Sequence, residues 1–170
     1  MSLKEKLEIC TICGLRPHKF PLTTDYTTLY TRLEHEIRAS IFVGYTIFQS
    51  GMAMGADMEA ARQVRRLKHE FPHIQLHCFL PCETQADNWT EEWREPYFNL
   101  LEEADEVYCL QTHYSNGCMH RRNREMVDKS QKLIAIHDNF TRGGTAYTIQ
   151  YARDKGLDII TIDPMQFRAP

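Results

Sequence analysis

The stretch QSGMAMGADMEAAR, residues 49–62, contains the clearest strand-to-helix transition in the chain, and the fold class depends on it. An apolar run ends at its start, Gly51 and Gly55 follow, and Asp57 stands where a helical pattern begins. Glycines between a strand and a helix allow a phosphate to approach the backbone, but they also occur in ordinary tight turns. Both interpretations stay open until the other loops are considered.

Strand-like and helical segments alternate along the whole chain on either side of this turn. Apolar runs predict strands at 7–13, 45–49, 74–80, 106–110, 132–137 and 158–162. Apolar residues at helical spacing predict helices at 24–43, 56–71, 96–103, 116–128 and 144–155, with Pro72 ending the second and Pro96 beginning the third. This order predicts an α/β fold, a Rossmann-like parallel sheet of about six strands with helices on both faces. We expect one domain over residues 1–170.

The composition narrows the class of partner. The 170 residues carry a formal net charge of −3, which disfavours duplex nucleic acid as the main partner. The chain has no apolar run long enough to span a bilayer, and its N-terminus lacks the features of a signal peptide. We therefore expect a cytoplasmic protein without a membrane partner. The oligomeric state stays open, a homo-oligomer included.

Cys10 and Cys13 form a C-x-x-C, a spacing found in metal and disulfide sites. On a strand, residues i and i+3 point to opposite faces, so these two sulfurs do not converge. The chain has no second C-x-x-C to complete a zinc site. We therefore expect buried structural thiols, no metal site and no cofactor.

Two of the predicted loops place glycines at the start of a helix. Gly51 and Gly55 precede the second helix, and Gly143 and Gly144, followed by Thr145, precede the fifth. Helix starts attract anions, although neither loop is a G-x-G-x-x-G or a P-loop. In parallel sheets, ligands bind beyond the carboxyl ends of the strands, where the strand order reverses. Two glycine turns at that edge favour a site for a phosphate-bearing ligand.

Other candidate residues in these loops each admit two roles. Asp57 can cap the backbone of the second helix, or it can accept hydrogen bonds from a ribose. Arg16 directly follows the first strand and can neutralise ligand charge. Trp89 can stack on a base, or it can pack against the core.

The fourth predicted helix carries two further candidates. Asn123 lies four residues after Met119, on the inward side, where a polar group must be satisfied. It either ties down a neighbouring loop or reaches into the cleft. Arg122 lies one turn before Met126, and it either reaches a phosphate across the cleft or belongs to a solvated basic face.

Several long motifs carry a family resemblance: CGLRPHKFP, FQSGMAMGADMEAA, LPCETQADNW, ADEVYCL, YSNGCMHRRNREMVDKS, AIHDN and RGGTAYTIQYA. In that order they resemble the YpsA-like family of the SLOG superfamily, whose relatives include the Smf/DprA proteins and the Lonely-guy phosphoribohydrolases. The resemblance covers nearly the whole chain. It implies a Rossmann-like sheet with a pocket suited to nucleotides or nucleotide-derived ligands such as ADP-ribose-like molecules.

The resemblance also implies a set of ligand-facing residues. The positions that match the family's motifs are Gly14, Arg16, Ser50, Gly51, Gly55, Asp57, Gln85, Trp89, Arg122, Asn123, Gly143, Gly144 and Thr145. One departure concerns catalysis, because the phosphoribohydrolases have P-G-G-x-G-T and then a catalytic glutamate, whereas this chain has RGGTAYTIQ with Gln150. A glutamine cannot act as a general acid or base. Asp57, Glu83 and Glu125 stay as candidate catalytic carboxylates.

The expected function is therefore the binding of a nucleotide-type small molecule. The resemblance implies a sensor or accessory factor in stress or cell division. One alternative is an N-glycosidase or phosphoribohydrolase in which Asp57 or Glu125 stabilises an oxocarbenium-like centre. A second alternative, by analogy with the Smf/DprA relatives, is single-stranded nucleic-acid binding through arginines and aromatic side chains.

Overall fold

The computed structural model describes residues 8–170. Residues 1–7, which hold the start of the first predicted strand and part of the N-terminal segment, lie outside this description. The strands are β1 (Ile9–Gly14), β2 (Ile47–Ser50), β3 (Gln75–Leu80), β4 (Glu106–Cys109), β5 (Lys132–Ile136) and β6 (Asp158–Ile162). The α-helices are α1 (Tyr26–Val43), α2 (Ala56–Leu67), α3 (Glu91–Glu103), α4 (Cys118–Lys129) and α5 (Gly144–Asp154).

All six strands form one parallel sheet in the order β4-β3-β2-β1-β5-β6. The chain moves outward from β1 to β4 and then returns to the other side of β1 to form β5. The strand order therefore reverses between β1 and β5, whose carboxyl ends are in register at Gly14 and Ile136. This arrangement confirms the predicted Rossmann-like α/β fold and locates the edge where ligands of such sheets bind.

The core lies on both faces of the sheet. Cys10 belongs to the larger apolar cluster, which includes residues of α1, α2 and α3, and Cys13 belongs to the smaller one, which includes residues of α4 and α5. Both thiols are buried, and burial raises the pKa of Cys10 to about 12. The expected structural role of the C-x-x-C is confirmed, because its two sulfurs pack on opposite faces.

The boundaries of two helices differ from those expected by more than two residues. Helix α3 begins at Glu91, five residues before Pro96, which lies inside the helix. The acidic first turn, Glu91 and Glu92, suits a helix start, so proline was the weaker boundary signal. Helix α2 ends at Leu67, and turns rather than a further helical turn lead to Phe71.

Strand β4 is an edge of the sheet, since among residues 8–170 only β3 pairs with it. All four of its residues are exposed, including Val107 with 42% of its surface accessible. In the described part of the chain, no helix is long and apolar enough to cross a membrane.

Candidate functional site

A cavity of about 420 Å³ opens where the strand order reverses. We call it the central cavity. Its walls come from the end of β1 and the following loop, the start of α2, the start of α4, and the residues around the start of α5. Of the predicted ligand-facing residues, those that line it are Gly14, Arg16, Asp57, Arg122, Asn123, Gly144 and Thr145. Segments far apart in sequence therefore meet in one crevice.

The other predicted residues lie outside the lining of the central cavity: Ser50, Gly51, Gly55, Glu83, Gln85, Trp89, Glu125 and Gly143. Trp89 packs edge-to-face on Tyr97, with their ring centroids 5.0 Å apart, and contacts the apolar core. This packing is one of the two roles expected for Trp89, and the stacking role stays a prediction, since the indole is only partly buried.

Three N–H groups of the turn at Gly51–Asp57 donate to protein acceptors, and one of them, that of Ala56, donates to the Leu15 carbonyl oxygen (3.3 Å). The Met52 N–H donates to Ser50 Oγ (3.1 Å), and the Ala53 N–H donates to Asp57 Oδ2 (3.4 Å). The Gly14 N–H donates to Asp57 Oδ1 (3.1 Å). Asp57 therefore occupies the N–H groups of Gly14 and Ala53, and phosphate binding at the other amides of this turn stays a prediction. Asp57 does not cap α2, which has no side-chain cap hydrogen bond; its carboxylate instead joins α2 to the end of β1. The ribose role of Asp57 stays a prediction.

Close packing explains the two glycines of this turn. A Cβ on Gly51 would lie 2.6 Å from Cζ of Arg122, and a Cβ on Gly55 would lie 2.7 Å from the Leu15 carbonyl oxygen. Gly55 also has φ of +96°, a region that side chains disfavour. The turn is tight because the guanidinium and the loop after β1 press against it.

Arg122 is buried, with 3% of its surface exposed. Its Nη1 donates to the Gly51 carbonyl oxygen and to Gln85 Oε1 (3.3 Å), and its Nε donates to Asn123 Oδ1 (2.7 Å). Neither a solvated arginine nor one that spans the cleft mouth is observed. Arg122 instead braces the turn at Gly51, and Nη2, whose neighbour is Met119 Sδ at 3.7 Å, lies at the cavity side.

Asp57 and Arg122 influence each other electrostatically. Burial raises the pKa of Asp57, while the charge of Arg122 and the N–H groups of Ala53 and Gly14 act in the opposite direction. Burial likewise lowers the pKa of Arg122, and the Asp57 carboxylate opposes this change. The two groups are therefore buried opposite charges that stabilise each other, and loss of Arg122 leaves Asp57 with the weaker influence of Arg16 and its backbone hydrogen bonds.

Side-chain amides complete this network. Gln85 Nε2 donates to the Gly51 carbonyl oxygen (3.3 Å), while its Oε1 accepts from Arg122. Asn123 Nδ2 donates to Thr148 Oγ1 (2.9 Å), which ties α4 to α5. Asn123 also lines the cavity, so it combines the two roles that were left open.

The start of α5 presents a different environment from the start of α2. The first helical hydrogen bond in α5 runs from the Tyr147 N–H to the Gly143 carbonyl oxygen (3.0 Å). The N–H groups of Gly144, Thr145 and Ala146 have no acceptor among residues 8–170, and all three residues line the central cavity. The second predicted glycine turn therefore does leave donors free for an anion.

The loop that precedes α5 is ordered by Asp138. Its Oδ1 accepts from the N–H groups of Phe140 (2.9 Å) and Thr141 (2.7 Å), and its Oδ2 accepts from Thr141 Oγ1 (2.5 Å). Although partial burial acts to raise the pKa of Asp138, these hydrogen bonds outweigh it and lower the pKa to about 2. The loop carries Thr141 and Arg142 to the wall of the cavity.

Cationic side chains dominate the lining of the central cavity. Arg16, Lys19, Arg122 and Arg142 face one carboxylate there, Asp57. Lys19 Nζ also donates to the Arg142 carbonyl oxygen (3.1 Å), which joins the two loops across the cavity. Lys19 and Arg142 were not among the predicted residues. Both could have been predicted from the sequence, since each lies in a loop that follows a predicted strand.

Two comparisons relate the chain to known proteins. The model of the YpsA family, described as "YspA SLOG family", matches residues 11–167. The chain is also similar to the UPF0398 protein BH1768 of Halalkalibacterium halodurans, at 28% identity over 155 residues, which is 88% of this chain and 82% of that protein. The matched residues include every segment that forms the central cavity.

Proposed function

We propose, from the premise that the chain belongs to the YspA SLOG family, that the central cavity binds a nucleotide or a nucleotide-derived small molecule. The observation that carries this proposal is the imbalance of charge in the cavity. Arg16, Lys19 and Arg142 add to the positive charge there, while the single lining carboxylate, Asp57, is already compensated by Arg122. An anionic ligand would offset that excess.

The free N–H groups at the start of α5 support the proposal of a phosphate there. Gly144, Thr145 and Ala146 direct backbone donors toward the cavity, and the positive end of the α5 dipole acts in the same direction. Arg142 and Lys19 lie beside this helix start. A volume of about 420 Å³ falls in the range of small-molecule sites and suits a phosphate with an attached sugar and base.

The same geometry favours binding over glycoside cleavage. Asp57 is the carboxylate that lines the cavity, and its oxygens accept from the Gly14 and Ala53 N–H groups. Glu125 does not line the cavity. A glycosidase needs a carboxylate that can approach the anomeric centre, and Asp57 serves the backbone instead. We therefore propose a sensor or accessory factor, with the role in stress or cell division resting on the family resemblance.

Thermal unfolding with ligands tests this proposal. A ligand at about ten times its Kd should raise Tm by about 3–6 °C, because it binds only the native state. The probes are ADP-ribose, AMP, ADP, NAD and inorganic phosphate at millimolar concentration. Arg142→Ala should abolish most of the shift, whereas Arg153→Ala, an exposed arginine in the last turn of α5, should retain it. No shift with any probe would overturn the proposal.

A further inference from the structure

A second cavity, of about 240 Å³, lies between α1, α2 and α3. We call it the outer cavity. Its apolar walls come from Tyr30 of α1, Met58 of α2, and Trp93, Pro96 and Leu100 of α3. Tyr30 and Trp93 are only partly buried by the core, so their rings are accessible from the cavity. A space of this size accommodates one ring with a short substituent rather than a whole nucleotide.

The polar groups of the outer cavity differ in sign from those of the central cavity. Glu59, Arg62 and Glu92 are its charged lining residues. Arg62 is bound to Glu59 by two hydrogen bonds, from Nη2 to Oε1 (2.6 Å) and from Nε to Oε2 (2.8 Å). Arg62 is thereby neutralised. Glu92 has no cationic partner within the described residues, so the outer cavity keeps an unpaired negative charge.

Neighbouring polar groups fix the position of the Glu59–Arg62 pair. Gln63 Nε2 donates to Glu59 Oε1 (3.0 Å) and to the Tyr30 carbonyl oxygen (2.9 Å), which joins α1 to α2 beneath the cavity. Burial and the charge of Glu59 raise the pKa of Tyr30, so its phenol stays neutral and can donate a hydrogen bond. The floor is therefore fixed, and the free carboxylate is at the edge formed by the first turn of α3.

We propose that the outer cavity is a second ligand site, for a small molecule that joins an aromatic or apolar ring to a cationic group. The ring lies among Tyr30, Trp93 and Leu100, where burial of its surface stabilises the complex. The cation lies at Glu92 and against the faces of the two aromatic rings, which attract positive charge. The ligand proposed above for the central cavity is anionic, so under both proposals the two sites select opposite charges.

Two probes of similar shape and opposite charge test this proposal: 2-phenylethylammonium and phenylacetate. The chain has two tryptophans, and each gives one indole N–H resonance in a ¹H–¹⁵N spectrum. Trp93→Phe identifies the Trp93 resonance. Saturable displacement of this resonance by 2-phenylethylammonium is expected, with a smaller change at Trp89, which packs on Tyr97. The expected affinity for phenylacetate is at least several-fold weaker.

Neighbouring glutamates provide matched variants. Glu92→Gln should weaken 2-phenylethylammonium binding by about two- to fivefold, since it removes one solvent-exposed charge. Glu91→Gln, one residue away and outside the cavity lining, should leave the affinity unchanged. The proposal is overturned if the Trp93 resonance does not move, if phenylacetate binds as tightly as the cation, or if the two variants behave alike.

Discussion

At the scale of single residues, Arg122 shows how a charged side chain becomes part of a core. It occupies the space that a side chain at position 51 would fill, and it bonds the carbonyl oxygen of that residue. Its sequence separation from Gly51 is 71 residues, so the contact exists only once α4 lies over the sheet. Glycine at 51 and arginine at 122 are therefore best understood as one unit.

Replacement of Arg122 should be costly. In Arg122→Met, the buried Asp57 carboxylate loses its compensating charge, so we expect a loss of about 3 kcal/mol in the free energy of unfolding. Urea unfolding at neutral pH measures it. Arg121→Met, at an exposed neighbouring position, should change stability by less than about 0.5 kcal/mol. A loss in Arg122→Met no greater than in this control would mean that the charge pair is not needed for folding.

The two glycine turns should differ in how well they tolerate a methyl group. Gly51→Ala places a methyl group 2.6 Å from the Arg122 guanidinium carbon, and we expect a loss of about 1–3 kcal/mol in the free energy of unfolding. Gly144→Ala meets no atom within 4 Å and should alter stability by less than about 1 kcal/mol. Chemical denaturation of the two variants measures both losses. Equal losses would contradict the close packing of Gly51 against Arg122.

At the scale of elements, the two glycine turns look alike in sequence and differ in what they bind. The first is filled by Asp57 from inside, whereas the second leaves its donors facing the cavity. Asp57, in the first turn of α2, binds the N–H groups of Gly14 and Ala53 and brings a negative charge to this helix start, whereas α5 has no acidic residue in its first turn. The start of α5 is therefore the stronger candidate for an anion.

The loop between β5 and α5 should make stability depend on pH. The pKa of Asp138 is lowered to about 2, so its contribution is complete above the unfolded pKa, near 4, and is lost as the pH falls toward 2. Asp138→Asn should lower the free energy of unfolding by about 2 kcal/mol at pH 7, with the difference from the wild type vanishing near pH 2.

Denaturant titrations at several pH values from 7 to 2 check this dependence. Asp87→Asn, at an exposed position after β3, serves as the control and should differ from the wild type by less than about 0.5 kcal/mol throughout. A difference for Asp138→Asn that stays constant across the pH range would show that the charge is unimportant.

At the scale of the whole molecule, the alternation of strands and helices was enough to predict the fold class. Periodicity located all six strands and five helices, because apolar spacing reflects burial directly. The strand order was not predicted, since nothing local to β5 specifies that it pairs with β1. Helix boundaries also differed where, as at Pro96, a residue is tolerated inside an element that usually excludes it.

The candidate site was predicted in location more accurately than in detail. Loops at the carboxyl ends of strands converge by topology, so Arg16, Asp57 and Thr145 were placed correctly in one crevice. The burial of Arg122 depends on the packing of α4, yet a trace existed: Cys118, Arg122 and Met126 recur every fourth residue and all are buried. No sequence pattern distinguished the two roles of Trp89, because a tryptophan side chain suits both packing in a core and stacking on a base.

Gly55 touches the outer cavity, while Ala53 and Asp57, on either side of it in the chain, line the central cavity. One short backbone segment thus contacts both cavities. At Gly55 this segment packs closely against Leu15 and Pro17. If both cavities are occupied, a shift of that segment caused by one ligand alters the binding free energy of the other ligand. By thermodynamic reciprocity the effect is equal in both directions. Apparent dissociation constants for either ligand then depend on the concentration of the other, so titrations require both concentrations to be controlled.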